Sequence, residues 1–215
     1  MLFDLTHKSF IFLVSAPSGC GKSTLLSLLF QDVAGLSYSI SHTTRPPRAT
    51  ETEGIDYFFV DEAQFIDMCN RDMFLEWACV HGHYYGTSKA AVDALIRTGN
   101  DVVLDIDVQG FKRIKDLAGL DIVSLFIMPP SMKELRRRLE ARGQNEPQDL
   151  ERRLGAVETE LRHAHEYDYI LVNDVLSVSR LQMQAIVLSE RIRSVRLFRL
   201  FEECDYGENN GRRLS

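Results

Sequence analysis

The stretch 10–30, FIFLVSAPSGCGKSTLLSLLF, constrains the fold of this chain more than any other. Phe10 to Ser15 is a short run, apolar except for its last residue and rich in Phe, Ile and Val, and it predicts a buried strand. Ala16-Pro17-Ser18-Gly19-Cys20-Gly21 follows, a run that can turn sharply. Lys22, Ser23 and Thr24 then open LLSLLF, which has helical character. Strand, small-residue loop, Lys-Ser and helix is the order that a phosphate-cradling loop requires. Backbone N–H groups of such a loop and of the helix start converge on one place, where an anion is stabilised. Lys22 would reach the β- and γ-phosphates there, and the Ser23 hydroxyl would sit on Mg²⁺. The strict pattern begins with Gly where this chain has Ala16. That departure matters only if position 16 needs a positive φ.

Other bulk properties narrow the function class. A chain of 215 residues holds one large or two small domains. A net charge of −6 gives no global field that favours nucleic acid. Four cysteines, at 20, 69, 79 and 204, show no CxxC spacing and suit a reducing cytoplasm. Met1-Leu2-Phe3-Asp4 lacks the basic start of a secretory signal, and no apolar run reaches membrane-spanning length. The expectation is a cytoplasmic protein with neither nucleic acid nor membrane as partner.

Along the chain, Tyr38–Ser41 alternates briefly, and His42-Thr43-Thr44-Arg45-Pro46-Pro47-Arg48 breaks regular structure. Two prolines hold that segment near polyproline II, so Arg45 and Arg48, three apart, either project to one side as a phosphate clamp or lie on a solvated basic loop. Gly54–Val60 predicts a strand, and Asp61 caps a helix that runs through Cys69. Phe74–Val80 predicts a strand carrying one acid, Glu76, among apolar residues. His81–Ser88 reads as a turn rich in hydrogen-bonding groups. His81 and His83 lack a third metal-ligand partner and read as a loop-exposed pair. Ser88 caps a helix Lys89–Arg97 that Gly99 ends. Asp101–Asp107 is a buried strand ending in two acids, Asp105 and Asp107, which share a face. Acids at the carboxyl end of such a strand hold Mg²⁺ or a polar substrate, and a helix cap is the plainer role for Asp107.

Ile122–Met128 predicts another buried strand. Ser131 and Glu134 form a capping box for a helix Met132–Ala141, and a second helix runs from Gln148 to about His165. This hairpin is basic, with Arg138 and Arg142 on one face and Arg152 and Arg153 on the second helix. It reads either as a solvated face with internal pairs to Glu140, Glu151 and Glu158 or as a lid that closes arginines over a triphosphate. Tyr169–Val172 is a last strand before Asn173, and Leu176–Phe201 is a long helix packing on the sheet. The tail 206–215 is polar and reads as flexible. Strands alternate with helices, so the fold class is α/β with a mostly parallel sheet and helices on both faces. Inserts at 36–90 and 131–165 break the rhythm as two mobile arms.

With these residues in hand, the chain resembles bacterial guanylate kinases. The markers are SAPSGCGKST (15–24), SHTTRPPR (41–48), GIDYFFV (54–60), FLEWA (74–78), YYGTS (84–88), LDIDVQG (104–110), RRRLEARG (136–143) and LVND (171–174). The resemblance implies transfer of the ATP γ-phosphoryl group to GMP, with dGMP as a further acceptor and Mg²⁺ as cofactor. It implies a core of 1–35, 91–130 and 166–205, a GMP-binding domain of 36–90 and a lid of 131–165. It places the GMP phosphate on Arg45, Arg48, Tyr57 and Tyr85, and guanine on Ser41, Glu76, Thr87 and Asp105. Thr87 stands where some relatives carry Ser, which keeps the hydroxyl. On the ATP side it implies Ala16, Pro17, Ser18, Gly19, Cys20, Gly21, Lys22, Ser23, Thr24 and Asn173, with Arg138, Arg142 and Arg153. Mg²⁺ would meet Ser23, with Asp107 as a second candidate. ATP and GMP are the expected partners, and self-association into a homo-oligomer stays open. The alternative is a catalytically inactive guanylate-kinase-like interaction domain, against which the intact Lys22-Ser23 argues.

Overall fold

Phe10–Ser15 contains the central strand of the molecule. The structure is a computed structural model that describes residues 8–80, 82–115, 117, 119–141 and 147–197. Strand β1 (Ile11–Ser15) is buried at every position. It lies between β7 (Asp101–Asp105) and β8 (Ile122–Met128), parallel to both, with Leu13 opposite Leu104 and Ser124. Outside them lie β2 (Leu36–Tyr38) and β9 (Tyr169–Val172), giving a five-stranded parallel sheet in the order β2-β7-β1-β8-β9. Side chains alternate across β1: Phe10, Phe12 and Val14 enter one core cluster, and Ile11 and Leu13 the other. Burial on both faces is what a parallel sheet requires, and it is why these strands read as unbroken apolar runs.

Helices cover both faces. Helix α1 (Lys22–Asp32) and α7 (Leu176–Arg191) supply Leu25, Leu29, Met183 and Val187 to the first cluster. Helices α3 (Lys89–Ile96) and α4 (Val108–Ile114) supply Val92, Phe111 and Ile114 to the second. The expected helix to Phe201 instead ends at Arg191. Ile192 is its C-cap, a helical turn follows at 194–197, and the remainder lies outside the described residues. Arg196 secures this end. It is 2% exposed, pairs with Glu190 and Asp121, and lies over the Phe10 ring at 4.5 Å. Only part of α7's apolar surface packs inward; Val178, Leu181 and Leu188 stay exposed. Among the described residues, no helix is long and apolar enough to cross a membrane.

A second sheet, in the order β4-β3-β6-β5, stands beside the first. It comprises β3 (His42–Thr43), β4 (Phe58–Phe59), β5 (Phe74–Val80) and β6 (His83–Ser88), with α2 (Glu62–Asn70) capped by a full box between Asp61 and Gln64. Two expectations change here. The segment His83–Ser88 is a strand antiparallel to β5 rather than a turn, because pairing across the hairpin satisfies its backbone. Strand β4 is two residues long, because Thr52–Tyr57 folds into a turn in which Gly54 N–H donates to the Tyr57 carbonyl at 2.9 Å. Tyr38 and its neighbours also sit in the core sheet, so the second sheet starts at His42.

Helices α5 (Met132–Ala141) and α6 (Pro147–Leu161) form the basic hairpin, and a short 3-10 turn, Ala164–Glu166, follows. Leu135, Leu139, Leu154 and Val157 bury its apolar side in the first core cluster. Ser131 accepts the Glu134 N–H at 3.1 Å, the first half of the expected box. Glu134's carboxylate turns instead to Arg137 and Arg138, which hold it well below its ordinary pKa.

Candidate active site

The two sheets flank a cleft of about 420 Å³ at the carboxyl end of β1 and β7. Open parallel sheets place their ligands there, because helix starts and loops converge beyond the strand ends. One wall is the loop. Ala16, Pro17, Ser18, Gly19, Gly21, Lys22, Ser23 and Thr24 all line the cleft. Ala16 is not in the positive-φ region, so its Cβ is tolerated where the strict pattern has Gly. Gly21 is different. It is the N-cap of α1 at φ 87°, and a Cβ there would collide with Asn173 Nδ2. With no side-chain cap on α1, the helix start is left to an anion. Asn173 was expected among the ATP-binding residues; it sits behind the loop, 6% exposed, donating to the Cys20 carbonyl at 2.8 Å. Cys20 is fully buried in the first core cluster, so its thiol faces away from the cleft.

Lys22 pairs with Asp105 at the floor of the cleft. Asp107 lines the same floor, and its Oδ1 accepts the Gly110 N–H at 2.8 Å, which makes it the N-cap of α4. Among the described residues there is no group of three or more His, Cys, Asp or Glu that could hold a metal. Ser23 and the two aspartates line the cleft where a phosphate ligand could carry a divalent cation.

The opposite wall belongs to the second sheet, with Ser41, Tyr57, Glu76 and Tyr85 in the cleft lining. Glu76 is opposite Thr87 in the β5–β6 pairing, past a register shift between Phe74 and Glu76. Thr87 is wholly buried and donates its hydroxyl to Glu76 Oε1 at 2.7 Å. Glu76 is 7% exposed; burial pushes its pKa up to about 7, with the Asp107 charge adding to the rise. Gly110 makes room for it, since a Cβ there would meet Glu76 Oε2 at 2.7 Å. Burial likewise raises the phenols of Tyr38 and Tyr57, so both remain hydrogen-bond donors.

The expected arginines are less uniformly placed. Arg45 lies over the Tyr57 ring at 5.4 Å and is bound to Glu51, outside the cleft lining. Arg48 borders an adjoining hollow with Glu51, Tyr57 and Ser23. Arg138 is held by Glu134 at 2.8 Å, and neither it nor Arg153 is among the residues lining the cleft. Arg142 and His81 lie outside the described residues. Two further acids border the site. Glu51 is one. The other, Glu160 on α6, lines the cleft; burial and Asp107 raise its pKa while Lys22 opposes them.

The family model for guanylate kinase matches residues 8–190. The guanylate kinase of Nitrosomonas europaea is 45% identical over 188 residues, covering 87% of this chain and 93% of that protein. That of Alkalilimnicola ehrlichii is 46% identical over 184 residues, covering 85% and 90%. The crystal structure of guanylate kinase from Anaplasma phagocytophilum superposes with a TM-score of 0.73 at 32% identity, covering 91% of this chain and 95% of that one. A loop, a cleft and a second sheet arranged in this way, with kinship along nearly the whole length, place the chain in the guanylate kinase family.

Proposed function

We propose that this chain acts as a guanylate kinase, transferring the γ-phosphoryl group of ATP to GMP to give ADP and GDP. The observation that carries the reading is that the phosphate loop and the buried carboxylate of Glu76 open into one cleft. Guanine offers two adjacent donors, N1–H and the N2 amine, beside the O6 acceptor. A carboxylate only accepts, so Glu76 pairs with guanine and is repelled by the N1 lone pair of adenine. Ser41 and Thr87 supply hydroxyls and Asp105 a further acceptor for the base.

Catalysis in this reading is positioning and charge. Lys22 exchanges Asp105 for the β- and γ-phosphates. Ser23 would hold a Mg²⁺ ion carried by ATP, with Asp107 as a second candidate, and the ion would offset charge on the phosphate oxygens. Arg45, Arg48, Tyr57 and Tyr85 hold the acceptor phosphate. The hairpin 131–165 is a lid over the core, and its closure would bring Arg138, Arg142 and Arg153 toward the triphosphate and exclude water. Helix α5 and Glu160 of α6 sit beside the loop and cleft, which supports the hairpin as a cover for the triphosphate. The reaction belongs in the cytoplasm, where both nucleotides are available, and dGMP fits the same base contacts. An inactive interaction domain would have no use for the intact Lys22-Ser23 loop.

A coupled assay of ADP release across GMP, dGMP, AMP, CMP and no acceptor tests this. ADP should form with GMP and dGMP alone. Equal release with AMP, or release that ignores the acceptor, overturns the reading.

A further inference from the structure

The loop that carries Arg45 and Arg48 closes around an acid. Arg45 Nη2 donates to Glu51 Oε1 at 2.7 Å and to Oε2 at 2.9 Å. The Arg48 backbone N–H donates to the same Oε2 at 2.8 Å, and Glu51 N–H donates back to the Arg48 carbonyl at 3.0 Å. Arg45 Nη1 is turned to the Pro46 carbonyl at 2.7 Å. The Arg45 and Glu51 side chains are 14% and 13% exposed, whereas that of Arg48 is 75% exposed, with Nη1 3.8 Å from Glu51. The Arg45 guanidinium holds Glu51's carboxyl below its ordinary pKa, and Glu51 in turn stabilises the Arg45 charge.

We propose that Glu51 is a positioning residue for the acceptor phosphate: it fixes Arg45 against Tyr57 and Tyr85 before the nucleoside monophosphate arrives. This rests on the clamp reading of Arg45 given above. Tyr57 and Tyr85 line the cleft, with ring centroids 6.0 Å apart, and Arg45 lies over Tyr57. Glu51 does not line that cleft; it borders the adjoining hollow with Arg48. Arg45 is thus held on the edge away from the substrate. A long arginine left alone loses rotamer freedom when it captures an anion, and one already held loses less. The same carboxylate fixes the Arg48 backbone, so it sets the spacing of both guanidinium stems while leaving the Arg48 head in water.

A second role is chemically open to an acid in this place. Glu51 could stand in for the phosphate and be expelled by it. The two roles predict opposite signs. A preorganising carboxylate lowers the KM for GMP, and its loss raises it. A competing carboxylate raises that KM, and its loss lowers it.

The experiment compares Glu51→Gln, Arg45→Met and the double variant by KM for GMP, KM for ATP, kcat and melting temperature. Glu51→Gln should raise the KM for GMP about tenfold, the scale of losing one charge-assisted hydrogen bond. The KM for ATP and the melting temperature should stay at parental values. In the Arg45→Met background, Glu51→Gln should add little, because its effect passes through Arg45. A lower or unchanged KM for GMP in Glu51→Gln overturns the proposal, as does an equal rise in both KM values with a lower melting temperature. Should Arg45→Met leave the KM for GMP unchanged, the clamp reading itself has failed and this proposal with it. A rise in Arg45→Met without one in Glu51→Gln sinks only the role of Glu51.

Discussion

The two walls of the cleft are built by opposite means. The nucleotide-loop wall presents backbone. Its strand is buried on both faces, its turn is set by Gly19 and Gly21 at positive φ, and its helix starts without a side-chain cap. Its one strong charge, Lys22, is a fifth exposed and already paired with Asp105. The acceptor wall presents side chains on a small sheet. Its buried acid, Glu76, is 7% exposed, and burial pushes its pKa up to about 7. A wall of backbone donors remains stable when empty, because water and the helix itself satisfy it. A wall built around a buried acid carries an ionisation penalty that only a matching ligand relieves.

Lys22→Ala cuts deepest into this contrast. In the proposed reaction it removes charge where the transferring phosphoryl group develops it, and it leaves the backbone cradle in place. Turnover should fall by at least about a hundredfold, the scale of one preorganised charge contact. Far-ultraviolet circular dichroism and melting should stay near the parent. A folded Lys22→Ala enzyme with normal turnover removes the loop from the mechanism.

Glu76→Gln probes the other wall and should have effects of opposite sign on activity and stability. The amide keeps an oxygen for the Thr87 hydroxyl but puts a donor where guanine needs an acceptor. The kcat/KM for GMP should fall about ten- to a hundredfold, with ATP affinity unchanged. Stability should move the other way. Glu76 titrates near 4.5 in the unfolded chain and near 7 in the fold, so between those values the folded state binds more protons. Its contribution is therefore neutral below about pH 4.5, and stability is lost as pH rises through 7. Removing the carboxyl should stabilise the empty protein by about 2–3 kcal/mol at pH 8 and by almost nothing at pH 4. Denaturant melts at the two pH values measure this. An equal effect at both would mean that Glu76 is not the buried acid described here.

The same contrast explains what could be read from the chain alone. The core strands and the loop declare themselves locally, because burial on both faces writes an apolar run and the phosphate cradle is a contiguous spacing. Glu76 was legible as an acid on an apolar strand. Strand β6 was not. His83-Tyr84-Tyr85-Gly86-Thr87-Ser88 has neither alternation nor an apolar face of its own, and becomes a strand only by pairing with β5. The Gly54–Val60 segment carries strand-forming residues, yet Asp56 accepts the Thr52 N–H at 2.7 Å and holds most of it in a turn. Glu160 reaches the cleft through the packing of α6, which no local pattern records. Glu51 lies six residues from Arg45, and an acid that close to a pair of arginines was the available signal. Arg138 was legible as basic, but its partner Glu134, one turn earlier on the same helix, competes with the phosphate role.

The smallest effect belongs to Cys20, and it tests whether the loop wall depends on its side chains at all. A thiol beside a helix start is a candidate for activation, since the positive end of the helix stabilises a thiolate. Burial acts against this, because an apolar surrounding disfavours the charged form. Cys20 is 0% exposed and packs in the core cluster with Leu25 and Leu135, so a reagent has no access to its thiol. An aromatic disulfide added to the native enzyme should label exposed Cys79 and leave Cys20 unmodified by mass spectrometry. Cys20→Ala should keep near-parental turnover, because the loop acts through backbone, and should lose about 1 kcal/mol from a small cavity. Labelling of Cys20 that ATP prevents would show an open, reactive thiol at the loop. The two walls would then both be chemically alive through their side chains, and the contrast between them would fail.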